Sequence, residues 1–183
     1  MLEGKSRRKI FFVNPYQKQV LGNRTYPFIT SIREKVDLVI VAVPAPIVPE
    51  VIKDCAKKRV GGVIVISAGF AEIGNEGEKR QKEISDILEK AGIPLLGPNC
   101  LGIIRPSANL NASFSPATPK KGEIAFLSQS GALIDSLIDK SLTDNFGFSV
   151  LISYGNEADL NVCDFLRFLK KDKETKAISL YLE

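Results

Sequence analysis

Two runs of consecutive apolar residues, Asp37-Leu38-Val39-Ile40-Val41-Ala42-Val43 and Gly62-Val63-Ile64-Val65-Ile66, do most to limit what this chain can fold into. Neither has a polar face, so a strand made from either must be covered on both sides. That is the situation of parallel strands sandwiched between helices. The segments between such runs fit. Val48, Val51, Ile52, Cys55 and Ala56 follow helical spacing, and Ile84, Ile87, Leu88 and Ala91 repeat it in a charged stretch closed by Gly92 and Pro94. Further strands are expected at 9–13, 94–96, 123–127, 148–153 and 176–182, with helices at about 132–142 and 161–169. Strand and helix alternate throughout, which defines an α/β protein. Between Arg105 and Gly122 the periodicity stops, and Pro106, Pro116 and Pro119 mark an expected linker at 105–121 between units 1–104 and 122–183.

Small polar turns follow several of these strands, and that is where ligands bind in open α/β sheets. Ser128-Gln129-Ser130-Gly131 ends one strand and opens a helix, where unpaired N–H groups and the positive helix end make an anion site. Ser130 also suits a simple N-cap, but Ser128 and Gln129 add donors and Gly131 allows close approach, which favours a phosphoryl site. Gly97-Pro98-Asn99-Cys100-Leu101-Gly102 is a second such turn. A structural turn explains its Gly and Pro but not its Asn and Cys. Cys100 lacks a histidine to activate it, so a contact role is expected rather than a nucleophilic one. Ser67-Ala68-Gly69-Phe70-Ala71-Glu72 is a third corner, suited to passing a thin ligand over its backbone, and a plain loop would look the same. In Ser153-Tyr154-Gly155-Asn156-Glu157-Ala158-Asp159, Asp159 is expected to cap the following helix.

Composition excludes several classes. The 183 residues carry a net charge of +4, much of it in Lys5, Arg7, Arg8 and Lys9 and in Lys170, Lys171 and Lys173. No aromatic residues interleave with these clusters, so nucleic-acid binding is not expected. Cys55, Cys100 and Cys163 are odd in number and far apart, which argues for reduced thiols and against a disulfide framework or a metal site. No run is long enough to span a bilayer and no signal pattern opens the chain, so a cytoplasmic location is expected. The chain has no histidine, the commonest catalytic base.

Taken in order, Val13-Asn14-Pro15, Val41-Ala42-Val43-Pro44-Ala45, the turns 66–72, 97–102 and 128–132, and Gly155-Asn156-Glu157-Ala158-Asp159 resemble the nucleoside-diphosphate-forming acyl-CoA synthetases. The nearest branch is the α subunit of ADP-forming acetate–CoA ligases, a relative of the succinyl-CoA synthetase α subunit. The resemblance implies a Rossmann-like CoA-binding domain lacking its first strand, then the first half of a flavodoxin-like parallel domain. It implies that Asn14, Lys18, Val43, Pro44, Ile66, Ser67, Ala68, Asn99 and Cys100 contact coenzyme A, the last two towards its thiol. It assigns Ser128, Gln129, Ser130 and Gly131 to the phosphate of a phosphohistidine, and Glu183 to orienting that histidine. The reaction implied interconverts acyl-CoA, ADP and phosphate with acid, CoA and ATP.

A nucleotide-grasp β subunit or domain would bring ADP or ATP and Mg²⁺, within an oligomeric complete enzyme. Departures accompany the likeness. The family's glycine-rich phosphate loop is expected before this sequence, with only Gly4 nearby, and its histidine beyond Glu183. The family lysine after Asn-Pro is replaced by Tyr16, with Lys18 close by. With no first strand, strands 9–13 and 37–43 are expected to flank an unfilled position. Two other readings share these residues: a synthetase-like regulatory region of a protein lysine acyltransferase, and a non-catalytic CoA or nucleotide-binding module.

Overall fold

The computed structural model describes residues 8–183, so Gly4 and the charges of Lys5 and Arg7 lie outside the described residues. Its strands and helices run β1 (Phe12–Val13), β2 (Gln19–Val20), β3 (Asn23–Tyr26), β4 (Val39–Val41), α1 (Val48–Lys58), β5 (Val63–Val65), α2 (Asn75–Ala91), β6 (Leu95–Leu96), β7 (Gly102–Arg105), β8 (Leu110–Ser113), β9 (Lys121–Ser128), α3 (Gly131–Asp144), β10 (Phe148–Ser153), α4 (Val162–Leu169) and β11 (Ala177–Tyr181). Local chemistry sets the helix ends. Pro49 sits in the first turn of α1, and Arg59 closes it in a left-handed conformation after Lys57 and Lys58. Glu76 and Glu78 occupy the first turn of α2, and Gly92 ends it at φ +66°. A reciprocal capping box of Asn161 and Asp164 starts α4.

Three sheets result among the described residues, in the orders β1-β3-β2, β4-β5-β6 and β11-β9-β10-β7-β8. The β4-β5-β6 ladder is parallel throughout, pairing Ile40 with Ile64 and Ile64 with Leu96. The strands expected at 9–13 and 37–43 do not pair with each other: β1 pairs with β3, and β4 with β5.

The stretch expected to be a linker holds the end of β7 at Arg105, a 3-10 turn and β8, and has no strand over 114–120. β7 and β8 form an antiparallel pair, and β7 lies antiparallel on β10 with Ile104 opposite Leu151. Pro106 starts a single 3-10 turn between the two strands, whereas Pro116 and Pro119 fall in the strand-free stretch 114–120. Four-residue strands carrying Asn and Ser are too short to show a period, which is why the sequence reads as loop. The β2–β3 hairpin after β1 is a second unforeseen element.

Burial explains the apolar runs. Along β9 and β10, Ala125, Leu127, Val150 and Ile152 face a core shared with Ile64, Leu96, Phe165 and Leu169. Phe126, Phe148 and Leu151 face the opposite way, against Ile134 and Ile138 of α3. α1 and α2 cover the first parallel sheet through Val48, Ile52, Ile84 and Leu88 against Val63, Val65 and Leu95. The first of these cores contains residues of both the β4-β5-β6 sheet and the five-stranded sheet, so they are joined by packing as well as by chain. No helix among the described residues is long and apolar enough to cross a membrane.

Candidate ligand-binding site

The turns that follow β4, β5 and β6 form a connected row at one sheet end. Ser67 Oγ donates to the Val43 carbonyl at 2.5 Å, and Asn99 N donates to the Ser67 carbonyl at 3.0 Å. Val43, Ser67 and Asn99 are thereby brought together, with Pro44 and Ala68 exposed and Ile66 partly buried beside them. Asn14 and Lys18 lie on the turn after β1, in a different sheet. Asn14 Oδ1 accepts from Tyr16 N at 2.9 Å and Gln17 N at 3.0 Å, so that oxygen is engaged in holding its own turn. Lys18 is exposed.

Cys100 differs from the expectation of a side chain directed at the ligand's sulfur. It is buried, its Sγ donating to the Val65 carbonyl at 3.3 Å, and burial pushes its thiol pKa up to about 12. A thiol so protonated and enclosed packs the core. The unforeseen partner in this row is Asn156. Its Oδ1 accepts from Asn99 Nδ2 at 3.3 Å, and its Nδ2 donates to Glu72 Oε2 at 2.6 Å and to Gln81 Oε1 at 3.0 Å. Glu72 also accepts from Gly69 N and Phe70 N. Partial burial pushes the Glu72 pKa up, but the donors Asn156, Gly69 and Phe70 outweigh it and hold the carboxyl below its usual value. Glu72 and Asn156 both lie in small-residue turns after strands, the one sequence signal that could have found them.

At the second corner, α3 opens from Ser130, whose Oγ accepts from Leu133 N at 3.4 Å. Ser128 is fully buried, and its Oγ donates to the Ser130 carbonyl at 2.8 Å while accepting from Ser130 N at 3.0 Å. Ser128 therefore shapes the turn, contrary to a role as a direct donor to phosphate. Gln129 is tied on both sides: its Oε1 accepts from Glu183 N at 2.5 Å and its Nε2 donates to Glu157 Oε2 at 3.3 Å. The structure thus brings Glu183 to this corner. What the corner offers an anion is the Ser130 hydroxyl and the first-turn N–H groups at Gly131. Asp159 does not cap α4. Its carboxylate accepts from Leu95 N at 2.8 Å at the start of β6, and Asn161 supplies the cap instead. No group of His, Cys, Asp and Glu among the described residues could hold a metal ion.

Turns of this kind at strand ends, beside a helix N-terminus, are where open α/β sheets take nucleotides and cofactors, and comparison with known proteins narrows the class. The CoA binding domain family model matches residues 2–106, and that of the succinyl-CoA ligase like flavodoxin domain matches 121–183. The chain is 46% identical to acetate–CoA ligase [ADP-forming] I of Archaeoglobus fulgidus, over 95% of this chain and 25% of that protein. It is 43% identical to the acetate–CoA ligase [ADP-forming] II α subunit of Pyrococcus furiosus, over 96% of this chain and 38% of that subunit. The dinucleotide-forming acetyl-coenzyme A synthetase 1 of Candidatus Korarchaeum cryptofilum, solved with phosphate and ADP, superposes with a TM-score of 0.92. Its identity is 37%, over 98% of this chain and 38% of that one. The chain belongs to the nucleoside-diphosphate-forming acyl-CoA synthetase family, and spans a quarter to two fifths of these relatives' lengths.

Proposed function

We propose that this chain is the CoA-binding portion of an ADP-forming acyl-CoA synthetase, cytoplasmic and assembled with a nucleotide-grasp partner. The partner supplies ADP or ATP and Mg²⁺, and the whole interconverts acyl-CoA, ADP and phosphate with acid, CoA and ATP. The pantetheine arm of CoA lies over Val43, Pro44, Ile66, Ser67 and Ala68, with Asn99 towards its thiol end and Asn14 and Lys18 near its nucleotide. Ser130 and Gly131 receive the migrating phosphoryl group, with Glu183 beside them.

The observation that carries this reading is the hydrogen-bonded row from Val43 through Ser67 to Asn99. It continues through Asn156, whose neighbour Glu157 holds Gln129 at the phosphoryl corner. Imidazole suits a phosphoryl relay because it is neutral near pH 7 and forms a labile phosphoramidate. With no histidine in the chain, incubation with radioactive ATP should leave no acid-labile label on it. Titration calorimetry with CoA tests the binding reading. Saturable binding is expected, weakened about tenfold by Asn99→Gly, which keeps the left-handed backbone (φ +56°) while removing the side chain. No heat from CoA, or an affinity indifferent to Asn99, would refute it.

A further inference from the structure

A cavity of about 400 Å³ opens beside the β2–β3 hairpin, lined by Arg24, Thr25, Tyr26, Pro27, Ser31 and Arg33. Its position follows from the β1–β3 ladder. Tyr26 pairs with Val13, and Asn14 N donates to the Tyr26 carbonyl at 2.9 Å, so Tyr26 and Pro27 lie beside the turn that holds Asn14. The far wall is the 3-10 turn Ile29–Ser31 and the residues after it, and α1 fixes that wall. Asp54 Oδ2 accepts from Ile29 N at 2.6 Å and from Thr30 N at 3.3 Å, and Lys58 Nζ donates to the Ile32 carbonyl. Ser31 and Arg33 are thus mounted on a backbone anchored from both sides.

Two arginines line this cavity, and among the described residues neither has an ion pair or a side-chain hydrogen bond. The carboxylate next in sequence, Glu34, is paired with Lys9 at 3.9 Å, and no acidic residue lines the cavity. Two like charges held at one pocket without a counter-charge repel each other, and an anion relieves that repulsion. Guanidinium binds phosphate through paired N–H groups, and the Ser31 hydroxyl offers a third donor. A terminal phosphate monoester carries close to two negative charges near pH 7, matching the two cations. A bridging diphosphate carries about one charge on each phosphorus and must run through a continuous channel, whereas a terminal monoester fits a side pocket.

We propose that the Arg24–Ser31–Arg33 cavity binds the terminal phosphate monoester of an adenosine nucleotide, which in coenzyme A is the 3′-phosphate. The assignment to CoA rests on the reading of the preceding section. The nucleotide then lies by the β1 and β3 turns, and the thiol end by Asn99. The cavity discriminates CoA from dephospho-CoA, which lacks only that phosphate.

Calorimetry on the full chain tests this with four probes: CoA, dephospho-CoA, adenosine 3′,5′-bisphosphate and adenosine 5′-monophosphate. Wild-type protein should bind each 3′-phosphorylated member at least tenfold more tightly than its partner. Arg24→Gln and Arg33→Gln should each remove most of that preference and leave dephospho-CoA affinity within about twofold. Lys79→Gln, the same charge change on exposed α2, should leave the preference intact. Both arginines reach the surface, so circular dichroism of the variants should match wild type. A preference that survives both substitutions, or an equal loss for CoA and dephospho-CoA, would overturn the proposal while the CoA reading stood. Arginine-dependent binding of the bisphosphate by a chain that ignores CoA would instead uphold the cavity and remove the CoA reading.

Discussion

Replacing Gly155 by alanine probes the contact on which the candidate site depends. The residue has φ +56°, and a Cβ built there meets the Pro98 carbonyl oxygen at 2.2 Å and the Asn99 carbonyl oxygen at 2.5 Å. Both obstacles are backbone, so no side chain can swing away to make room. Relief requires the 153–159 turn to lift from the 97–99 turn. Two backbone hydrogen bonds join those turns, Asn156 N to the Pro98 carbonyl at 3.0 Å and Ala158 N to the Gly97 carbonyl at 3.1 Å. The left-handed backbone costs alanine about 1 kcal/mol. Straining or breaking the two hydrogen bonds adds about 2 kcal/mol. The sum, about 3 kcal/mol, is a large part of the 5–15 kcal/mol typical of a folded domain.

Gly92→Ala is the matched control. Gly92 has φ +66° and nothing within 4 Å of its would-be Cβ, so only the backbone cost applies. Urea unfolding of both variants separates the two contributions. With an m-value of about 2 kcal/mol/M, the midpoint for Gly155→Ala should fall about 1 M below that for Gly92→Ala. Equal midpoints would show that the close approach of the two turns carries no energy, and the argument linking them would fail.

Three further outcomes follow from other parts of the structure. The lowered Glu72 pKa means its charged form contributes stability above the unfolded value near 4.5, and loses it as pH falls through the folded value. Glu72→Gln should therefore flatten the drop in urea midpoint below pH 4.5, and a slope unchanged from wild type would contradict this. Cys55 and Cys100 are buried with thiol pKa values pushed up to about 12, whereas Cys163 is exposed. A disulfide reagent at pH 8 should modify one thiol quickly in native protein and all three in denaturant; fast modification of two would disagree. Arg105 Nη2 holds Asp172, whose side chain is 7% exposed, at 2.7 Å and also reaches Glu174. Arg105→Ala leaves the Asp172 carboxylate with the Thr175 hydroxyl but no counter-charge, and should cost about 1–3 kcal/mol by urea unfolding, part of which Asp172→Asn should restore.

The fold was legible where burial imposes a period. β4, β5 and β10 are apolar on consecutive residues because both faces are covered, and α1 and α2 carry their core stripes at helical spacing. β2, β3, β7 and β8 were not legible. Each has two to four residues, and pairing across the chain decides their state more than local preference does. The turns of the candidate site were visible as small polar residues after strands, but which way each side chain faces was not. Ser128 and Cys100 look like ligand contacts in sequence, and burial turns both inward. Asn156 and Glu72 look like turn residues, and their tie is made across 84 positions of sequence.

That tie bears on how the two corners are kept in register. Asn156 and Glu157 are adjacent, yet they serve different corners: Asn156 bonds Asn99 and Glu72 beside the row after β5 and β6, and Glu157 bonds Gln129 before α3. Glu157 sits at φ +52°, a conformation that disfavours a side chain of its type. Its carboxylate offsets that cost by accepting from both Val162 N, at 3.1 Å, and Gln129. One short segment after β10 therefore fixes both turns relative to each other, and two residues with opposed side chains set the spacing. In the proposed reaction the CoA thiol and the phosphoryl group must meet in a defined geometry, and misplacement by about 1 Å costs on the order of a hundredfold in rate. A rigid segment between the corners meets that requirement better than two loops moving independently.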